Sequence, residues 1–149
     1  MFASMFLPLA FVSSVNTRIL ERMVDDMPGC DQYISDVLVQ DLADHDGAYS
    51  PYTRILKVTY GLDLDRLRYS IAHECGHAID FATSLKRREH FGYGSFITDY
   101  ASLSAEEDFA ESYVNYVLNR ESFIQAVRGD ISLRNKYLEI QRIVTTFDK

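Results

Sequence analysis

The sequence predicts an α+β domain, in which a small twisted sheet with an edge strand lies beside one long helix and a helical half of the chain follows. Three observations predict it. Two runs rich in β-branched and aromatic residues, Tyr33–Gln40 and Tyr52–Tyr60, read as strands. From Gly61 onward, apolar residues recur at helical spacing in three successive stretches. The 149 residues are 47% hydrophobic and 25% charged, with no repeat or low-complexity tract, so residues 1–149 are expected to form a single domain.

The opening MFASMFLPLAFVSSV is apolar and carries no Lys or Arg before Arg18, so it lacks the positive start of an export signal and is too short to span a bilayer. It is expected to belong to the folded domain, with a strand over Phe6–Val12; an atypical export signal is the lesser reading. Val15, Ile19, Leu20, Met23 and Met27 form a helical stripe, with Arg18, Glu21, Arg22, Asp25 and Asp26 outside, and Pro28-Gly29 supplies the stop. Between the two strands, Asp41–Pro51 reads as a loop around Asp-His-Asp-Gly, and His45 there reads as an exposed histidine rather than a ligand. In Tyr52–Tyr60, Lys57 and Thr59 interrupt the apolar residues, which predicts an edge strand half open to solvent. Its residues Ile55, Leu56, Lys57 and Val58 are therefore the expected docking edge for an extended peptide.

Asp63 or Asp65 can cap a helix that runs to about Ser84. Leu64, Leu67, Ile71, Cys75, Ala78 and Ala82 form its core stripe, and His73 and His77 fall on the opposite side. Cys75 and Cys30 are the only cysteines, and buried free thiols are expected. Lys86–Leu103 reads as a loop, its Lys86-Arg87-Arg88 run as a solvated surface. Ser104 opens a second helix, and the tail after Arg120 reads as packing helices around a break at Gly129-Asp130, without chemistry.

The chemistry is concentrated in His73-Glu74-Cys75-Gly76-His77. Histidines four apart on a helix can aim ring nitrogens at one metal ion, and a carboxylate beside them is placed to take a proton from water: the H-E-x-x-H pattern of zinc hydrolases. A third ligand six residues beyond His77 is excluded, because Thr83 stands there, and Asp80 stands where a metzincin would have glycine. In the Ser104 helix, Glu107 and Glu111 lie four apart with Val114 and Leu118, while Phe109, Tyr113 and Tyr116 occupy the other face. A helix apolar on both sides is buried, so its two carboxylates need partners. For Glu107 two readings stand: metal ligand, or the glutamate of a Ser104-x-x-Glu107 capping box. The metal is preferred, since a cap leaves Glu111 unexplained.

HECGHAID at His73–Asp80 and EEDFAESYVNYVLN at Glu106–Asn119, with Tyr100 seven residues before Glu107, resemble the gluzincin metallopeptidases of the anthrax lethal-factor and Pro-Pro endopeptidase type. The resemblance implies a zincin-like metalloprotease domain that binds Zn²⁺ through His73, His77 and Glu107. It also implies a supporting role for Glu111 and oxyanion stabilisation by Tyr100. Asp80, one turn beyond His77, is a candidate second supporting acceptor.

Together these readings predict a zinc endopeptidase with Glu74 as general base. A zinc aminopeptidase and a non-catalytic zinc-stabilised module are the alternatives. A net charge of −7 argues against nucleic acid as a partner. No membrane association is expected, a peptide or protein is the expected substrate, and the chain is expected to be monomeric. With no disulfide framework and no convincing signal peptide, the compartment is left open between secreted and cytoplasmic.

Overall fold

The computed structural model describes residues 9–83 and 89–147, and its architecture is α+β. The Lys86–Arg88 run lies outside the described residues, as do residues 6–8 of the expected first strand. From Leu9 the chain is helical, so the rest of that strand is corrected: α1 spans Leu9–Asp25. It buries Leu20, Met23 and Val24, and Met27 just beyond it, then stops at Pro28-Gly29, where Gly29 takes φ 81°. A single turn, α2 (Cys30–Tyr33), leads into β1 (Asp36–Val39).

The sheet departs from expectation in an instructive way. Its strands are β1, β2 (Gly47–Ser50) and β3 (Ile55–Val58), in the order β1-β3-β2, with β1 parallel and β2 antiparallel to β3. β3 is therefore the central strand and its main chain is paired on both sides, which corrects the edge placement of Ile55–Val58. The alternation was real: Leu56 and Val58 point into the core, and Ile55 and Lys57 occupy the half-open face. A sheet open on one face leaves the same period-two pattern as an open edge. β2 lies within the expected loop; GAYS is short and has no β-branched residue to announce a strand.

Helix α3 (Leu64–Thr83) starts where Asp63 Oδ1 accepts from the Arg66 N–H, 2.9 Å away, as expected of a capping aspartate. Its middle is buried nearly all round, because two strands and three helices press on it. β2 lies on one side: a Cβ at Gly47 would come within 2.9 Å of Glu74 Cγ. α4 (Ala105–Leu118) lies on another, and a Cβ at Gly76 would stand 2.8 Å from Ala110 Cα. α1 and α2 cover a third side, where Cys30 and Cys75 form a disulfide with Cα atoms 5.3 Å apart. This corrects the expectation of free thiols and of a chain without disulfides. Sequence reading saw two apolar positions 45 residues apart and had no means of pairing them. Closing a loop of that length restricts the unfolded chain by about 4 kcal/mol in the chain-entropy account.

The helical half follows. A 3₁₀ turn (Tyr100–Leu103) precedes α4, and α5 (Arg120–Ala126) and α6 (Ile131–Val144) close over its far side. Phe109, Tyr113, Phe123 and Ile140 fill that layer, and Tyr113 Oη donates to Pro28 O at 2.8 Å. Among the described residues no helix is long and apolar enough to cross a membrane.

The contact at Gly76 generates a prediction. Alanine there would gain about 1 kcal/mol of helix propensity, but overpacking against backbone costs about 1–3 kcal/mol. Gly76→Val lacks that propensity gain and adds bulk, so urea unfolding of the disulfide-intact protein is expected to show it clearly less stable than the parent. A Gly76→Val protein as stable as the parent would contradict the close crossing of α3 and α4.

Candidate metal centre

The α3–α4 crossing places four polar side chains by simple arithmetic. His73 and His77 stand three residues before and one after Gly76; Glu107 and Glu111 stand at the same offsets from Ala110. Where the two small residues touch, the flanking pairs face one another. His73 Nε2 and His77 Nε2 are 3.0 Å apart, and Glu107 Oε2 lies 3.0 Å from the first and 3.5 Å from the second. Among the described residues these three form the group that could hold a metal ion. A tetrahedral zinc site with ligand bonds near 2.0–2.1 Å requires ligand atoms about 3.3 Å apart, and the observed spacings bracket that value.

The hydrogen bonding of the group also fits a cation. His73 Nδ1 is 2.8 Å from Glu111 Oε1, and an ionised carboxylate only accepts, so Nδ1 carries the proton. In the neutral ring Nε2 is then a lone pair, directed at the second histidine and at Glu107. Glu107 Oε2 is buried and has no hydrogen-bond partner among the described residues. Two ring nitrogens and an orphaned carboxylate oxygen facing one another leave a cation or a proton as the group that reconciles them.

Electrostatics point the same way. Burial alone would lower the His73 pKa, but the Glu107 and Glu111 carboxylates outweigh it and raise it to about 9. Burial alone would raise the Glu107 pKa, and His73 and His77 instead bring it down to about 2. Glu111, buried as well, is held below its ordinary value by hydrogen bonds from His73, Tyr69 and Thr98 that overcome desolvation. Tyr69 Oη is 2.5 Å and Thr98 Oγ1 2.7 Å from Glu111 Oε2, so one carboxylate receives three donors.

Glu74 is 7% exposed and borders the cleft beneath β2. Burial raises its pKa against the pull of His77 and His73. Tyr100 stands across the cleft with its ring centroid 5.7 Å from that of His73. Half exposed, it still has its pKa raised by burial and by Glu107, Glu74 and Glu111, so its phenol keeps its proton. The cleft, of about 610 Å³, continues along α3 past Ser70 and Tyr69 to Arg66 and is walled opposite by Asp44–Gly47. His45 is exposed as expected, yet it lines this wall.

The structure thus brings together His73, Glu74, His77, Tyr100, Glu107 and Glu111. Asp80 is half-buried and is not one of the converging carboxylates. Ile55–Val58, in the middle of the sheet, do not line the cleft. Of the capping box expected at Ser104, the glutamate half is not formed among the described residues. Ser104 Oγ accepts from the Glu107 N–H at 3.1 Å, making one half of a capping box, while the Glu107 carboxylate turns to the histidines. Tyr69 and Thr98 escaped sequence reading. Tyr69 was findable, one turn before His73 on the same face; Thr98, in a loop, gave no signal.

Comparison of the chain with protein-family models, curated protein sequences and solved structures finds no match.

A pH prediction follows from the shifted groups. In the metal-free protein the raised His73 contributes stability that is full below its ordinary 6.5 and is lost as pH rises through about 9. Glu107, depressed to about 2, contributes above its ordinary 4.5 and loses that contribution as pH falls towards about 2. Zinc must displace the His73 proton, so binding at pH 7 is expected to release protons and to strengthen as pH rises towards about 9. Calorimetric titration in two buffers of different ionisation enthalpy measures this directly; binding heats independent of the buffer would contradict it.

Proposed function

We propose that the chain is a zinc-dependent endopeptidase of gluzincin type, with a zincin-like domain of the lethal-factor and Pro-Pro endopeptidase kind. The observation that carries the reading is the convergence of His73 Nε2, His77 Nε2 and Glu107 Oε2 beside a buried Glu74 that borders an open cleft. His73, His77 and Glu107 would hold the metal. Zinc held there supplies Lewis acidity and a lower pKa for water.

The chain's own residues account for the remaining work. Glu74, with its raised pKa, takes the proton from the attacking water and passes one to the leaving amine. The Tyr100 phenol, protonated across the working pH range, donates to the oxygen that becomes negative at the tetrahedral stage. Glu111 holds the Nδ1 proton of His73, which fixes the tautomer and turns Nε2 towards the metal position.

Of the sheet's two outer edges, that of β2 is the one beside the cleft and the place where an extended peptide would align. β2 pairs with β3 on one side, and among the described residues its other edge carries no strand. Gly47, at its start, lies against Ser70 and Glu74, so a strand added to this edge passes the base. The docking edge is thus Gly47–Ser50, in place of Ile55–Val58. An aminopeptidase is the second reading, favoured by Asp44 in the cleft wall, where a free amine could be held; Asp46 beside it is paired with Arg66 at 2.7 Å.

The test combines two variants and two peptide sets. Glu107→Ala is expected to lose most of its zinc, and Glu74→Ala to keep its zinc while kcat falls at least about 100-fold. Zinc-loaded protein incubated with free and N-acetylated peptide libraries, with Glu74→Ala as the blank, is expected to cut both sets internally. Trimming confined to free N-termini would replace the endopeptidase by the aminopeptidase. A full zinc equivalent on Glu107→Ala would sink the ligand assignment.

A further inference from the structure

Outside the metal site, the largest unexplained expense in the fold is a fully buried charge in the supposedly inert tail. Lys136 of α6 is 0% exposed, and its Nζ is 2.6 Å from Oδ2 of Asp108, equally buried on α4. An ion pair of this kind is often replaceable by apolar side chains without loss of stability, so stability alone is a weak reason for it. Its remaining contacts give a better one. Lys136 Nζ also donates to Tyr93 O at 3.0 Å and to Ser95 O at 2.7 Å, and lies 4.5 Å from the Phe96 ring centroid. Asp108 Oδ2 accepts from the Gly92 N–H at 2.8 Å. Gly92, Tyr93, Ser95 and Phe96 of the loop before the 3₁₀ turn are thereby bracketed between α4 and α6. Gly92 is packed on Ala105, and the Ser95 N–H meets Ser132 Oγ at 3.3 Å.

The bracketed loop ends at Thr98, whose hydroxyl serves two parts of the site. It donates to Glu111 Oε2 at 2.7 Å and accepts from the Ala101 N–H at 3.2 Å, which fixes the start of the turn that carries Tyr100. Glu111 in turn sets the His73 ring through its 2.8 Å bond to Nδ1.

We infer that Lys136 and Asp108 are positioning residues for the metal site: by clamping residues 92–96 they place Thr98, and through it both Glu111 with His73 and the turn bearing Tyr100. The inference rests on the metal-centre reading proposed above. It assigns a role to two buried charges that do not line the cleft. It also explains why the loop between the two motif helices is held by a charge rather than by apolar packing alone. Carbonyl oxygens at Tyr93 and Ser95 can be fixed in place only by a donor, and an ammonium with three protons reaches both of them and the carboxylate at once.

The experiment uses the full chain and two variants, Thr98→Val and the double variant Lys136→Met/Asp108→Leu, which leaves no buried charge unpaired. Three quantities are read: imidazole nitrogen resonances of His73 in the metal-free protein, amide exchange over residues 92–98, and zinc affinity by chelator competition. Both variants are expected to shift the His73 resonances and to weaken zinc binding about tenfold, the lower end for removing an outer partner of a ligand histidine. Only the double variant is expected to speed exchange at residues 92–96. A folded double variant with parental His73 resonances and zinc affinity would overturn the inference. Should the double variant fail to fold, parental values in Thr98→Val would overturn it equally. If the parent itself bound no zinc, the metal-centre reading would fall, and the His73 resonances of the metal-free chains would still decide the positioning claim.

Discussion

The structure depends on one close contact, the crossing of α3 and α4 at Gly76 and Ala110. With a would-be Cβ at Gly76 only 2.8 Å from Ala110 Cα, the helices cannot approach this way unless the residue at that point has no side chain. The consequence is chemical as well as steric. Side chains at matched offsets on the two helices are forced into one another's reach, so the histidine pair and the glutamate pair meet without any loop having to carry a ligand. Sites built on packed helices are held more narrowly than sites on loops. The Cys30–Cys75 disulfide, one residue before Gly76, fastens the same segment of α3 to α2 from the other side.

That arrangement buries charge, and the fold's other polar features read as responses to it. Glu111 would be costly in the interior alone; with donors from His73, Tyr69 and Thr98 it becomes a fixed point from which the His73 ring is aimed. Asp108, one residue past Glu107, is matched by Lys136 from α6. Glu107 Oε2 is buried without a hydrogen bond among the described residues, as Asp108 Oδ1 is, but it alone of the two faces a pair of ring nitrogens. A buried carboxylate oxygen that converges with two ring nitrogens has the donor set of a cation site.

Much of the site was legible in the sequence because helical periodicity carries geometry. Spacing of four put His73 with His77 and Glu107 with Glu111, and the absence of a ligand at Thr83 sent the search for a third one to the later helix. The sheet was less legible. Lys57 and Thr59 marked a half-open strand, but alternation cannot tell an open face from an open edge, and the true edge strand, Gly47–Ser50, is too short and too poor in β-branched residues to show. Pairings distant in the chain left no trace: Cys30 with Cys75, Lys136 with Asp108, and Thr98 with Glu111 each require the fold before they can be seen. Lys136 stands three residues after Leu133 and four before Ile140, on the packing face of α6, but spacing alone does not say which carboxylate and which loop it meets there.

The central claim is that the two histidines of α3 and the first glutamate pair member of α4 hold one metal ion together. X-ray absorption at the zinc edge of the loaded, disulfide-intact protein tests it most directly. The account predicts a single shell of nitrogen and oxygen at about 2.0–2.1 Å with the outer-shell scattering of two imidazoles. A sulfur shell near 2.3 Å, or light scatterers without imidazole features, would contradict it.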